Sequence, residues 1–494
     1  IVVKWPCMPQ NKQSEIRVRY APSPTGHWHV GGVRVVLYNW LYARKTGGTF
    51  IVRIEDTDKE RSESEFELEI FESMRWLGLD YDEGPVWTKN EDGTSTGSEK
   101  GDYGPYRQSE RRDIYRNYLT QLIEKSHAYY CYCTKEDLEA ERQLLSAQGL
   151  PPKYGGHCRN LTSPPTGKKP ETIRFRIPET AVRFHDLIRG DVSFDASLFG
   201  DIVIAKDLDN PLYNFAVVVD DELMKISHII RGEEHLSNTP KQVLLQKALG
   251  FRTPEYAHFP LILNPDRSKM SKRYGETALS GYRDAGYLSE AMVNFFLLQG
   301  WHPKDNREVM TPREAAELFE FKDVQKAGAV FSEDKLNWMN KEYLKKLSNE
   351  ELAQKVAPFL NRPSQNGRLA DIVGAVRDHM TILKDIDTLT TFFFELPTYA
   401  PDLLVWKKDT PPASRDALTA ARDTLANLPE DRFTVPNLAT AFEPLTVSLG
   451  RGSVLWSLRV ALSGLAASPD PFVIAAILGK KEVISRVELA LSKL

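Results

Sequence analysis

A doubly wound α/β core, interrupted by an α+β insertion and followed by an all-α half, is the architecture this sequence predicts. Three features point to it. Short apolar runs alternate with amphipathic stretches up to about residue 127, the pattern of a parallel sheet with crossover helices. Residues 128–211 break that alternation with β-rich runs, three cysteines and a Pro/Gly/Lys linker at 163–170. From Leu288 onward apolar residues recur at helical spacing almost throughout. The chain has 494 residues, too many for one core, and its 41% hydrophobic content is that of a globular protein. The expected domains are 15–127 and 212–287 for the two halves of the core, 128–211 for the insertion, then 288–346 and 347–494 for the helical part.

Residues 16–20 alternate apolar and charged side chains and read as a strand. A Pro/Gly turn follows, then a helix from 33 to 45 carrying Val36, Leu37, Trp40 and Leu41, stopped at Gly47-Gly48. Residues 49–54 read as a strand and 65–77 as an amphipathic helix. Residues 87–104, rich in Gly, Ser, Thr, Asp and Asn, read as a mobile surface loop. The segment from Gly104 to Glu110 opens a helix running to about Ser126. The insertion is expected to hold a helix at 135–148 and a strand at 172–177. Residues 213–219 and 225–230 read as strands returning to the sheet, and 239–249 as a crossover helix ended by Gly250. Helices are then expected at 288–298, 312–318, 332–346, 349–359, 370–389, 414–428, 435–443, 454–462 and 482–494, with a linker at 364–367.

The chemistry gathers on two stretches. The first is Arg19-Tyr-Ala-Pro-Ser-Pro-Thr-Gly-His-Trp-His-Val-Gly-Gly32, a strand end and turn running into a helix N-terminus. Such a terminus carries unpaired N–H groups and a partial positive charge, which suit a phosphate. Gly26, Gly31 and Gly32 allow close approach, and His29 can donate to an oxygen that gains charge during a reaction. The second is Asn264-Pro-Asp-Arg-Ser-Lys-Met-Ser-Lys-Arg-Tyr-Gly275. Its cations can gather onto a triphosphate and neutralise a leaving pyrophosphate. Together the two stretches resemble the HIGH and KMSKS signatures of class I aminoacyl-tRNA synthetases. The extended form, with Arg53-Ile-Glu-Asp-Thr-Asp58, resembles the glutamyl-tRNA synthetases of bacterial and organellar type. Gly32 stands where the full HIGH signature has its second His. The helical C-terminal half also resembles that family, since the neighbouring glutaminyl enzymes end in β-barrels. Leu458-Arg-Val-Ala-Leu-Ser-Gly464 resembles its C-terminal motif, with Ser457 in the place of a Pro.

The resemblance implies a Rossmann-type class I catalytic core with an inserted acceptor-stem-binding domain, a helical stem-contact domain and an all-α anticodon-binding region. It implies a ligase that activates L-glutamate with ATP to glutamyl-adenylate, with Mg²⁺ accompanying ATP. Transfer to the 3′ terminal adenosine of tRNA-Glu follows, releasing AMP. It implies glutamate contacts from Arg19, Ala21, Ser23, Glu55, Tyr213, Val217 and Arg231, although some members have Asn at the place of Val217. It implies ATP contacts from His29, Gly31, Glu234, Ile262, Lys269, Met270, Ser271, Lys272 and Arg273. Of these, His29, Lys269, Lys272 and Arg273 are the catalytic set. The residue types fit these roles: Arg231 follows an apolar strand and could hold a carboxylate by two N–H groups, and Arg19 ends a strand, the ligand-facing place in an open parallel sheet. A non-catalytic relative would have lost His29 or the Lys269-Met-Ser-Lys-Arg273 run, and both are present.

Composition sets the remaining expectations. The net charge of −4 argues against a generally basic nucleic-acid coat, so tRNA binding needs local basic patches, with Lys341, Lys345, Lys346 and Arg459 as candidates. No apolar run reaches the length of a membrane span. Four Cys in so long a chain suggest a reducing compartment, and residues 1–14 have no signal-peptide layout. The expected setting is cytoplasmic, with a mitochondrial or plastid matrix as the alternative, and the expected state is a monomer. Cys131, Cys133 and Cys158 read as buried thiols with no metal. Zinc is the alternative, because His157 adjoins Cys158 awkwardly and Asn160 stands where zinc-holding relatives supply a His.

Overall fold

The computed structural model describes residues 16–58, 61–89, 95–270, 278–362, 368–407 and 409–494. They form two compact units. The first runs to Tyr282 and takes in Met292–Glu333; the second comprises Arg283–Ala291 and Asp334–Leu494.

The first unit is built on parallel pairing. β1 (Arg17–Tyr20) lies beside β2 (Thr49–Val52), with Arg17 opposite Thr49 and Tyr20 opposite Val52. The crossover between them is α1 (Val30–Thr46), which buries Val33, Val36, Leu37, Tyr38, Trp40 and Leu41. So broad an apolar surface marks a helix covered on most sides. α2 (Ser64–Trp76) follows as its apolar spacing predicts.

The stretch read as a loop is instead an antiparallel hairpin, β3 (Gly84–Lys89) with β4 (Ser95–Lys100), in register from Gly84↔Lys100 to Lys89↔Ser95. Thr and Ser fit a two-stranded ribbon as readily as a loop, and polarity alone could not separate the two. Trp87 anchors it by donating to Glu67 on α2 (2.9 Å). α3 (Arg112–Glu124) then leads into the insertion.

Within the insertion, β5 (Ala128–Cys131), β6 (Thr172–Phe175) and β9 (Ile202–Ala205) make a three-stranded antiparallel sheet. α4 (Lys135–Ala147) starts at a capping box formed by Thr134 and Asp137. β7 (Ala181–Asp186) and β8 (Gly190–Asp195) form a hairpin whose first strand alternates exposed and buried residues.

The second half of the core corrects the sequence reading once more. Residues 213–219 are not a strand but the start of a helix, α5 (Tyr213–Leu223). Phe215 to Val219 are buried without interruption, and an apolar run of that length has no period to distinguish strand from helix. What extends it as a helix is Asp220 and Asp221, both buried and both held by arginines. β10 (His228–Gly232), α6 (Thr239–Leu249) and β11 (Glu255–Phe259) complete a β-α-β unit with parallel strands, His228 opposite Glu255. Two contacts sew this half into the molecule. The Ser227 amide donates to Arg17 O (2.9 Å) beside β1, and β11 takes β7 on its other edge, with Tyr256 opposite Asp186. β12 (Ile262–Leu263) closes the set, paired in parallel with Ala329–Val330.

The second unit is helical, as the periodicity predicts, but the single helix expected over 370–389 is broken. Leu369–Val376, a 3₁₀ turn at Arg377–His379 and Asp385–Leu389 replace it. The Asp385 carboxylate accepts from the amides of Thr381 (2.7 Å) and Ile382 (3.0 Å) and so starts a new turn where the apolar spacing ran on. Pro411–Asn427, Arg451–Ser463 and Lys480–Lys493 form the core of this unit around Leu418, Leu425, Leu458, Val483 and Val487. Buried Arg486 donates to Phe392 O (2.6 Å) and Leu462 O (2.7 Å), tying three segments together. The linker expected at 364–367 lies outside the described residues. No helix among the described residues is long and apolar enough to cross a membrane.

Gly84 seats the hairpin on β2. Its φ is +139°, and a Cβ there would lie 2.4 Å from Val52 O. Gly84→Ala is expected to destabilise the first unit by about 2–3 kcal/mol, read as the shift of its urea midpoint. An unchanged midpoint would mean that β3 does not rest on β2.

Candidate active site

The strand ends of β1, β2 and β10, the N-terminus of α1 and the start of α5 carry the polar residues. Their base is a buried ion network. Arg19, on β1, donates through Nε and Nη2 to the two oxygens of Asp221 (3.1 and 3.2 Å). Arg53, just past β2 and wholly buried, donates to Asp221 (2.7 Å) and Glu55 (3.0 Å), with Asp220 3.6 Å from its Nε. Asp220 in turn accepts from Arg111 (2.7 Å), Gln108 (2.8 Å) and the Tyr115 hydroxyl (2.8 Å). Burial works against the charge of Asp221, but Arg19 and Arg53 hold its carboxyl below the usual range. At Glu55 burial prevails over the two arginines and the carboxyl is pushed up.

The turn after β1 is clamped onto this base. The Glu55 amide donates to Pro22 O (2.8 Å) and the Arg53 amide to Tyr20 O (3.0 Å); Ala21 is half-buried and Ser23 exposed. His29 is the N-cap of α1. Its Nδ1 accepts from the Gly31 amide (2.9 Å), which places the neutral ring's proton on Nε2. The sequence reading left the Gly31 amide for a phosphate; in the structure the His29 ring takes it. A side chain at Gly32 has no room, since a Cβ would lie 2.5 Å from Trp28 Nε1 and 2.8 Å from the Tyr20 hydroxyl. That packing accounts for Gly where a second His would stand.

Arg231, on β10, is buried and held differently. Its Nε donates to His258 Nε2 (3.1 Å), and its Nη2 to Thr239 Oγ1 and Gln242 Oε1 (both 2.8 Å). Its Nη1 lies 3.4 Å from the Tyr213 hydroxyl. All four partners are uncharged, and among the described residues no carboxylate forms an ion pair with it. Tyr213 lies 3.1 Å from His235 Nδ1. Burial raises the Tyr213 phenol, with Arg231, Glu55 and Arg19 near enough to act on it. His235 is depressed to about 3, by burial first and then by the cations Arg231, Arg19 and Lys269. The Tyr213 hydroxyl thus joins Arg231 and His235 in one polar neighbourhood.

The other expected residues fall at its margins. Glu234 is exposed in a short 3₁₀ turn after β10, and Val217 is buried within α5. Ile262 is buried on β12, and the Met270 amide donates to its carbonyl (3.2 Å). Lys269 is exposed on that bend, which Asn264 braces by donating to Lys269 O (3.1 Å). Ser271, Lys272 and Arg273 lie outside the described residues.

The three cysteines come together. Their sulfurs lie within 4.8 Å of one another. The Tyr154 hydroxyl is 3.6 Å from Cys131 Sγ and 3.7 Å from Cys133 Sγ, and accepts from the Cys158 amide (2.8 Å). His157 turns away to Glu141 (3.0 Å). Three sulfurs and one phenol oxygen are a donor set suited to a tetrahedral ion.

Sequence reasoning missed Asp220, Asp221, Arg111, His258, Thr239 and Gln242. Two adjacent acids closing an apolar run were the available signal for the first pair. Nothing local marked the rest, which converge only in the fold.

A strand–turn–helix beside a buried cation fits a class I synthetase core, and comparison with known proteins shows that class. Residues 15–338 match the catalytic domain of the class I tRNA synthetases (E and Q), and residues 351–491 match an anticodon-binding domain. Glutamate–tRNA ligase 1 of Caldicellulosiruptor saccharolyticus is 43% identical over 96% of this chain and 98% of its own length. The glutamate–tRNA ligase of Desulforudis audaxviator is 40% identical over 97% of this chain and 96% of its own. Among solved structures, a glutamate tRNA ligase from Elizabethkingia meningosepticum, in complex with its amino acid, superposes with a TM-score of 0.86 at 34% identity. That match spans 97% of this chain and all of the other. The chain belongs to the glutamate–tRNA ligase family of class I tRNA synthetases.

Arg53 makes the network's stability testable. Removing a buried cation leaves Asp221 and Glu55 buried and short of a partner, so Arg53→Met is expected to cost the first unit about 3–5 kcal/mol. Urea unfolding measures it, and a loss under about 1 kcal/mol would mean that the network is replaceable by packing.

Proposed function

We propose that this chain ligates L-glutamate to tRNA-Glu in two steps, at the site formed by β1, β2, β10 and the N-terminus of α1. The observation that carries the reading is Arg231, a buried guanidinium surrounded by neutral acceptors. An uncompensated buried cation is costly, and a ligand carboxylate relieves that cost. Arg231 therefore reads the side-chain carboxylate, with Nη1–H and the Tyr213 hydroxyl as the two donors. This refines the expected two-pronged grip by Arg231 alone, since Asp-free partners already engage its Nε and Nη2. Arg19, half spent on Asp221, and Ser23 and Ala21 on the turn serve the α-carboxylate. Glu55 serves the ammonium, and Val217 backs the pocket.

ATP lies along the α1 N-terminus, with Gly31, Glu234, Ile262 and Met270 around its nucleoside and phosphates. Nucleophilic attack by the α-carboxylate on the α-phosphate needs positioning and charge neutralisation, with no covalent enzyme intermediate. His29 Nε2–H donates to the phosphate oxygens, and Lys269, Ser271, Lys272 and Arg273 gather the pyrophosphate. Magnesium enters with ATP and offsets phosphate charge. The insertion at 128–211 receives the acceptor end, 288–346 the stem, and 347–494 the anticodon. A zinc ion held by Cys131, Cys133 and Cys158, with Tyr154 as fourth donor, would brace the insertion and take no part in the chemistry.

The test is charging of purified tRNA-Glu with labelled glutamate and ATP. ATP-dependent ester formation is expected, and its absence overturns the proposal. His29→Ala should slow adenylate formation about one hundredfold, the scale of a lost oxyanion donor. Arg231→Ala should collapse the preference for glutamate over glutamine, which rests on a charge-assisted bond that an amide cannot reproduce. A wild-type ratio in that variant would place the reader elsewhere. Protein purified without added metal should carry bound zinc that Cys158→Ser loses. Metal analysis decides it, and metal-free protein of normal stability would return the cluster to buried thiols.

A further inference from the structure

We propose that His258 is a positioning residue for Arg231, and that Asp186 fixes the imidazole so that it can only accept from the guanidinium. The inference rests on the reading of Arg231 as the side-chain reader.

His258 lies on β11, one strand away from Arg231, and is fully buried. Its Nδ1 is 2.7 Å from Asp186 Oδ2. Asp186 is fully buried as well, and accepts from the amides of Ile188 (2.9 Å), Arg189 (2.8 Å) and His258 (3.0 Å). A carboxylate supplied with three amide donors remains an acceptor, and it is held below the usual range. The imidazole proton facing it is therefore on Nδ1. Nε2 then carries the lone pair, and it is this atom that Arg231 Nε meets. Burial pushes His258 down to about 4, so the ring stays neutral near pH 7. Tyr256 stacks on the imidazole, ring planes 13° apart, and holds its tilt. The Thr239 hydroxyl, 3.0 Å from the same nitrogen, accepts from Arg231 Nη2 and can send its own proton to His235 O (3.3 Å).

The arrangement solves a specific problem. A guanidinium has five N–H groups in a rigid plane, so fixing three of them fixes the direction of the other two. The strongest way to fix them is a carboxylate, as Asp221 does for Arg19, but that neutralises the cation. His258, Thr239 and Gln242 fix the plane with uncharged acceptors. The carboxylate that orients His258 stands one imidazole further away. Arg231 is thus held rigid without a direct ion-pair partner, with Nη1 turned toward Tyr213.

Replacing Asp186 by Asn tests the tautomer. Its amide nitrogen would donate to Nδ1, move the proton to Nε2, and set one N–H against another at Arg231. His258→Leu removes the acceptor, and His258→Gln restores one near the Nε2 position. Catalytic efficiencies for glutamate and glutamine are measured for these three variants and for Arg231→Ala, beside tRNA affinity and unfolding midpoint. His258→Leu and Asp186→Asn should each raise KM for glutamate, and lower the glutamate-to-glutamine ratio, by about tenfold or more, the scale of one hydrogen bond to a charged group. His258→Gln should recover most of that loss. A merely structural role would lower the midpoint and both efficiencies together, leaving the ratio in place. If the ratio survives in folded His258→Leu while Arg231→Ala collapses it, this proposal fails and the reader stands. If Arg231→Ala itself keeps the ratio, the reading of Arg231 fails first. Should His258→Leu not fold, Asp186→Asn decides, with the ¹⁵N-histidine spectrum reporting which ring nitrogen carries the proton. An unmoved proton with an unmoved ratio overturns the proposal.

Discussion

The Asp221 carboxylate, shared between Arg19 and Arg53, is the interaction on which the site depends. It stands on α5, while its partners stand on β1 and just past β2, so one buried anion joins the two halves of the core across the insertion. Its cost in desolvation is met only because each oxygen has guanidinium donors at hydrogen-bond distance. Arg53 continues the chain of charge to Glu55, and Asp220 extends it to Arg111 at the start of α3. Position of the polar groups and cohesion of the sheet are here the same set of bonds. A substitution in the network would therefore act on binding and on stability together, which separates it from Arg231.

Two buried arginines thus have opposite electrostatic states. Arg19 is paired, which makes it a geometric anchor with one nitrogen left over. Arg231 is oriented by neutral groups, which keeps its charge in play. The difference is worth several kcal/mol toward an incoming carboxylate, because a buried cation without a counter-ion pays its desolvation until one arrives. Neither state is visible from the residue type.

That contrast explains what the sequence could and could not tell. The turn from Arg19 to Gly32 was legible because strand, punctuation and helix lie contiguously, and α6 ended at Gly250 as its spacing requires. His29 was legible at the start of α1, but its bond to the Gly31 amide was not, since that depends on a side-chain torsion. α5 was misread because a fully buried apolar run carries no period. The hairpin at 84–100 was misread because polar residues suit a ribbon as well as a loop. Asp221, His258 and Gln242 were invisible for another reason. Each acts on a residue of a different element, and no local pattern records a partner 11 to 202 positions away.

The insertion shows the same point at the scale of a domain. Read from the sequence it is an excursion, leaving the core at residue 128 and returning at 211. In the fold its β7 and β8 extend the sheet begun by β10 and β11, and the end of β7 delivers Asp186 to His258. Two hydrogen bonds then separate the insertion from Arg231. A segment attached only by its two chain ends would be free to move without consequence for the pocket. One that supplies a paired strand and a buried carboxylate disturbs, when it shifts, the acceptor that meets the guanidinium, because packed interiors transmit displacement instead of absorbing it. The geometry of Arg231 is therefore set in part by a strand of the insertion, outside the two halves of the core.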